Sequence, residues 1–360
     1  MLIVDAHEDL AYNALTFGRD YRRSALEIRK QEVGSWVPEV TGQCTLGIPE
    51  WLDAGVAVIF STLWTLPARR SWHPALQSYR DPDEAHRQAM AQLDWYHRWA
   101  DEDERIALIR SQTDLDQVLS TWQNGSQAGT EGDDRRQVGF VILMEGADPI
   151  RTPAELPEWV DRGVRIIGLS WGATRYAGGT GEPGPLTDLG RELLDAMADQ
   201  GLILDLSHAA EESFFEALDR YEGPVIASHA NPRRRVPGDR QLSDVMIRYL
   251  AERDGVVGIA LYNAFLRRDW SRTDPPDRVT VMDVVGAIDT VCQLVGDARH
   301  VGLGTDLDGG FGAESTPAGL DTVADLPRIA EALGEYGYQP ADVEAIMGEN
   351  WLRILRSALP

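Results

Sequence analysis

Eight short apolar runs, rich in β-branched residues, punctuate this chain at residues 2–4, 56–63, 138–144, 164–169, 202–206, 224–228, 256–261 and 301–305. Their apolar residues are near-continuous (VAVIFSTL, VGFVILM) instead of alternating, which is how parallel strands covered on both faces read. Amphipathic helical stretches lie between them, for example at 192–199 and 211–220. Eight strands alternating with helices predict an α/β fold, a (β/α)8 TIM barrel, with a doubly wound open sheet as the alternative.

The 360 residues exceed the roughly 250 that such a barrel needs. The excess is expected between the second and third runs, as an insertion at about 67–137 within a single barrel domain spanning 1–360. It holds a Trp-rich helical stretch at 83–100 and a polar segment at 123–136 that reads as an exposed loop.

Charge narrows the function. Lys+Arg is 34 against 58 for Asp+Glu, a formal net charge of −24. Such a chain repels phosphate backbones and anionic membranes, so neither nucleic acid nor a membrane is an expected partner. No apolar run approaches the ~18 residues of a membrane span, and the first residues do not read as a signal peptide. A cytoplasmic protein is expected. Cys44 and Cys292 suggest no disulfide or metal pair and are expected as buried thiols. Lys30 is the only lysine, in a polar helical stretch, which argues against Schiff-base or carbamylated-lysine chemistry.

Barrel active sites lie at the C-terminal ends of the strands. There the sequence places His7 and Asp9 after run one, Glu145 after run three, His208 after run five, His229 after run six and Asp306 after run eight. In His7-x-Asp9 an extended backbone points both side chains the same way. His208 and His229 are one helix plus one strand apart and so belong to adjacent strands. Imidazole and carboxylate suit Zn²⁺ and related ions. The five ligands suffice for two ions, with Glu145 as the carboxylate between them. Two ions about 3.5–4 Å apart can share and deprotonate a water. Asp306 would accept the proton and return it to a leaving amine, giving metal-assisted hydrolysis of an amide or ester. Arg240 could clamp a substrate carboxylate. His73, His86 and His97 fall in the insertion and His300 at the opposite strand end, so all four read as structural.

These residues resemble the renal (membrane) dipeptidase family of the amidohydrolase superfamily. DAHEDL, MEG, GLILDLSHAAEESFFEAL, PVIASHANPR, HVGLGTDLDGG and MGENWLRIL carry the resemblance nearly end to end. It implies His7, Asp9 and Glu145 on one zinc and Glu145, His208 and His229 on the other. It also implies Asp306 as acid/base, Arg240 on the substrate carboxylate, Tyr262 near the substrate, and a homodimer. The expected substrate is a small dipeptide or N-acyl amino acid, hydrolysed by a hydroxide bridging the two metals. One position departs from the pattern: Trp171 stands where the family usually has a histidine. Indole has one N–H donor and no basic nitrogen. That change admits another amide, ester or lactone as substrate, or a relative that binds metal without catalysis.

Overall fold

A computed structural model of the chain describes residues 1–123 and 135–360. The loop expected at 123–136 lies mostly outside them. All eight apolar runs become strands: β1 (Ile3–Glu8), β2 (Val56–Trp64), β3 (Val138–Glu145), β4 (Val164–Gly168), β5 (Ile203–Asp205), β6 (Val225–Ile226), β7 (Val257–Ile259) and β8 (Val301–Leu303). They are parallel and hydrogen-bonded in the order β6-β5-β4-β3-β2-β1-β8-β7. The two ends meet: Ala227 bridges to Val257, and the Gly258 amide donates to the Ala227 carbonyl at 2.8 Å. The sheet is thus an eight-stranded α/β barrel, as expected, and not an open sheet.

Every residue of β1, β2 and β3 is buried, which is why these runs show no polar alternation. Along β2, Val58 and Phe60 join one apolar cluster while Ile59 and Leu63 join another, so the two faces of the strand pack against different layers. The stretch at 211–220 is the helix Glu211–Arg220. The stretch at 192–199 is the C-terminal part of the helix Asp188–Asp199, which starts earlier because the Thr187 side chain caps it, accepting from the Gly190 amide at 3.0 Å.

Between β2 and β3 the chain forms the helices Pro82–Glu102 and Gln112–Gln123 and a short strand, Ile106–Leu108. This strand pairs with the first half of β3 (Ile106↔Val138, Leu108↔Phe140), whereas β4 pairs with the second half from Ile142 onward. It escaped the sequence reading because three residues among charged neighbours carry no periodicity. Cys44 and Cys292 are free and buried, and Lys30 is exposed. Among the described residues, no helix is long and apolar enough to cross a membrane.

Where β6, β7 and β8 end, the backbones pass very close. A Cβ on Gly258 would sit 1.7 Å from the Ser228 carbonyl oxygen, and one on Gly304 would sit 1.8 Å from it. Backbone cannot yield as a side chain can, so Gly258→Ala is expected to destabilise the protein by about 3 kcal/mol or more. The measurement is the urea midpoint, and an unchanged midpoint would show that the barrel tolerates a wider gap here.

Candidate active site

The last residues of the strands and the turns after them converge on one buried cluster. Glu145, the final residue of β3, lies at its centre. Its Oε2 is 3.3 Å from His7 Nε2, while its Oε1 is 3.0 Å from His208 Nε2 and 3.4 Å from His229 Nε2. His7 Nε2 is also 3.8 Å from Asp9 Oδ1 and 3.9 Å from Asp306 Oδ1. The structure therefore brings together all five residues expected as ligands, with Asp306 beside them. Three donor triplets result: His7/Asp9/Glu145, Glu145/His208/His229 and His7/His229/Asp306, the atoms of each within 4.8 Å of one another. His73, His86, His97 and His300 belong to none of them. All four hold a backbone carbonyl or an aromatic ring: His97 Nε2 lies 2.8 Å from the Arg162 carbonyl, His300 Nδ1 2.9 Å from that of Gly255, His86 Nδ1 3.1 Å from that of Pro149, and His73 stacks on Trp36.

The electrostatics of the cluster call for cations. Burial drives the pKa of His208 well down, with Arg240 adding to it, and burial with His7 does the same to His229, so both rings are neutral. Their Nε2 atoms nevertheless face each other at 3.0 Å. Their Nδ1 atoms are held elsewhere, by Thr180 Oγ1 at 3.0 Å and Ser228 Oγ at 2.9 Å respectively. His7 Nε2 is buried with no hydrogen-bond partner among the described residues. Burial also pushes the Glu145 carboxyl up to about 8, that of Asp9 up to about 6, and that of Asp306 well above the usual range. Donor atoms crowded this closely in a water-poor site cost free energy unless protons or metal cations lie between them. Nitrogen and carboxylate oxygen donors in triplets suit Zn²⁺ or a similar divalent ion.

A second layer fixes these side chains. The buried Asp205 at the end of β5 accepts from the amides of Ser207 (3.0 Å) and Ser228 (2.9 Å) and from the Ser228 hydroxyl (2.6 Å). That hydroxyl lies against His229 Nδ1 and 3.5 Å from His7 Nδ1. One carboxylate thus orients two imidazoles through a serine. Asp5 does similar work for the Asp306 turn, accepting from the Thr305 amide at 2.8 Å and its hydroxyl at 2.5 Å. Asp9 accepts from Thr62 of β2. His208 and Asp306 have φ of 63° and 59°, a conformation that costs a non-glycine residue free energy and concentrates at functional sites. Asp205, Asp5 and Thr180 were missed in the sequence. The only sign of the two aspartates was a carboxylate at the end of an apolar run.

The cluster forms the floor of a cavity of about 320 Å³, also lined by Arg240, Tyr262 and Trp171. Arg240 is buried. Its Nη2 donates to the His229 carbonyl at 2.7 Å, and its Nη1 has no hydrogen-bond partner among the described residues. Tyr262 stacks on Phe311 at 4.8 Å. Trp171 is half-buried, edge-on to Trp64 at 5.2 Å, with the Arg70 guanidinium 4.3 Å over its ring. Arg70 lies in the segment after β2, and only the tertiary fold brings it here.

Known proteins give this geometry a context. The profile of the membrane dipeptidase family, peptidase family M19, matches residues 1–359. An uncharacterised protein from the pqqA 5′ region of Klebsiella pneumoniae is 33% identical over 230 residues, 61% of this chain and 82% of that protein. An uncharacterised dipeptidase of Schizosaccharomyces pombe is 29% identical over 229 residues, 62% of this chain and 54% of that protein, so the match spans about half the length of that relative. Among solved structures, a metallo peptidase from Rhodobacter sphaeroides, liganded with a phosphinate mimic of the dipeptide L-Ala-D-Ala, superposes with a TM-score of 0.75. It is 22% identical, and the match covers 99% of both chains. A whole-chain family match, on a barrel whose strand ends gather histidines and carboxylates, means that this chain belongs to the membrane dipeptidase family, peptidase family M19.

Proposed function

We propose that the protein is a metal-dependent dipeptidase that hydrolyses the amide bond of a small dipeptide or N-acyl amino acid with a free carboxylate. The observation that carries this reading is the position of Glu145, whose two oxygens each face a different histidine set. His7, Asp9 and Glu145 would hold one divalent ion, and Glu145, His208 and His229 a second. Zn²⁺ is the ion proposed. When bound, the pair supplies water acidified enough to attack a carbonyl at neutral pH. Asp306 takes the proton from that water and delivers it to the leaving nitrogen as the C–N bond breaks, so that OH ends on carbon and H on nitrogen. Arg240 offers its unpartnered Nη1 to the substrate carboxylate, a charge-assisted hydrogen bond in a dry site. Tyr262 flanks that position. Residues 1–360 are read as one barrel domain, acting as a cytoplasmic homodimer.

A second reading rests on Trp171, which puts an indole on the cavity wall where the family resemblance leads one to expect a histidine. A missing stabilising donor can cost on the order of 10²–10³ in rate, and a different amide, ester or lactone would then be the better substrate. One experiment addresses both readings: metal analysis and a hydrolysis screen on the same purified sample, with L- and D-residues at the C-terminal position of the dipeptides and lactones and esters alongside. About two ions per chain with dipeptide turnover is the expected result. Two ions with lactone but not dipeptide turnover favours the second reading, and failure to bind metal after Zn²⁺ addition overturns both.

A further inference from the structure

The cavity walls differ in chemistry on the two sides of the cluster. In a closed eight-stranded barrel β2 and β6 lie diametrically opposite, four strands apart in the hydrogen-bonded order. Arg240 follows β6. Across the mouth stands Trp64, the last residue of β2, edge-on to Tyr12 at 4.5 Å and to Trp171 at 5.2 Å. Leu76 and the exposed Trp72 continue this wall toward solvent. Its one cation among the described residues, Arg70, is engaged: it covers the Trp171 ring, donates to the Thr180 carbonyl at 2.8 Å and lies 3.9 Å from Glu182. Among the described residues, no carboxylate on this wall outside the cluster is free for a cationic side chain. Asp9 belongs to the metal cluster, and Asp308 is taken up by Arg19 at 2.9 Å, by Tyr21 and by Thr45.

A substrate whose carboxylate lies at Arg240, with its amide over the cluster, directs its other half at this wall. We infer that the β2 wall is a side-chain subsite selecting a large apolar group, aromatic or branched aliphatic, on the N-terminal residue of the substrate. The inference rests on the dipeptidase reading and adds the class of side chain. An apolar ring leaves water for aromatic surface here, whereas an acidic or basic side chain loses hydration and gains no free partner.

The test is kcat/KM of the zinc-loaded protein for Phe–Ala, Leu–Ala, Gly–Ala, Glu–Ala and Lys–Ala, together with N-benzoyl-alanine, which separates an apolar side chain from an apolar acyl group. Phe–Ala and Leu–Ala are expected to exceed Gly–Ala roughly 10- to 100-fold, and to exceed the charged dipeptides by more. Trp64→Leu and, at the exposed rim, Trp72→Ser should each lower the Phe-to-Gly ratio. Because Trp72 is exposed, its variant keeps the test open if the Trp64 variant fails to fold. Gly–Ala or Glu–Ala equalling Phe–Ala, a ratio unmoved by the Trp72 variant and by any folded Trp64 variant, or N-benzoyl-alanine outpacing every dipeptide, overturns the inference. If no dipeptide is cleaved, the dipeptidase reading fails, and calorimetric titration decides the subsite separately. Phe–Ala binding at least tenfold tighter than Gly–Ala then upholds it, and equal binding overturns it.

Discussion

Asp306→Asn is expected to lower kcat for the best substrate at least about a thousandfold while bound metal stays at the wild-type level. A positioned proton-transfer group contributes on the order of 10²–10⁴ in rate, and asparagine cannot shuttle a proton. The replacement suits this position. Asparagine matches the shape of aspartate and is among the few residues that tolerate the positive φ found there. The Asp5–Thr305 hydrogen bonds that set the turn do not involve the Asp306 side chain. Two of the three donor triplets exclude Asp306, so metal should persist. Elemental analysis and steady-state turnover on one preparation read both quantities. Normal turnover would remove Asp306 from the mechanism, and loss of metal would recast it as a ligand.

Glu145→Gln is expected to have the opposite signature, a fall from about two bound ions to fewer than one. Glu145 belongs to both triplets that would define separate sites. An amide offers one acceptor oxygen, and its other end is a donor. It cannot neutralise two cations and presents N–H to one of them. Second-layer changes at metal sites already cost 10–100-fold in affinity, so at least about a hundredfold is expected here. Without metal the sign reverses: the substitution removes a carboxyl that burial holds up to about 8 and gives the facing imidazole nitrogens an N–H donor. The variant stripped of metal should therefore melt no lower than the wild type stripped of metal, whereas with Zn²⁺ present the wild type should melt higher. A variant that retains two ions would exclude the shared-carboxylate arrangement.

The barrel was legible because its strands are buried on both faces, which turns each into a continuous apolar run with a polar residue at its functional end. The same regularity picked out His7, Asp9, Glu145, His208, His229 and Asp306, which the structure brings together at one end of the barrel. What escaped detection depends on contacts distant in sequence. Ile106–Leu108 is a strand only because β3 offers half an edge. The Gly- and Pro-rich stretch at 177–186 reads as loop, yet Ala177–Gly179 and Glu182–Leu186 pair antiparallel, and the hairpin brings Thr180 to His208. Arg70 gave no sign of itself, because its place over Trp171 is created by packing. Asp205 was hidden inside LILDLSH, where a buried carboxylate shows its role only once Ser228, just past the neighbouring strand, is seen beside it.

Ser228 and His7 meet across 221 residues of chain, and the rings of His7 and His229 stack with centroids 3.6 Å apart. The donor set draws on β1, β3, β5 and β6, so no local hairpin or early fragment contains it. The triplet His7/Asp9/Glu145 needs the first and third strands and Glu145/His208/His229 the third, fifth and sixth, so during synthesis the full set waits for the sixth strand. Long-range contacts of this kind slow folding. Loading of both proposed ions would therefore follow the arrival of the sixth strand. Once in place, the ions would tie the opening strand to the sixth, clasping the circle across its own circumference and slowing its reopening.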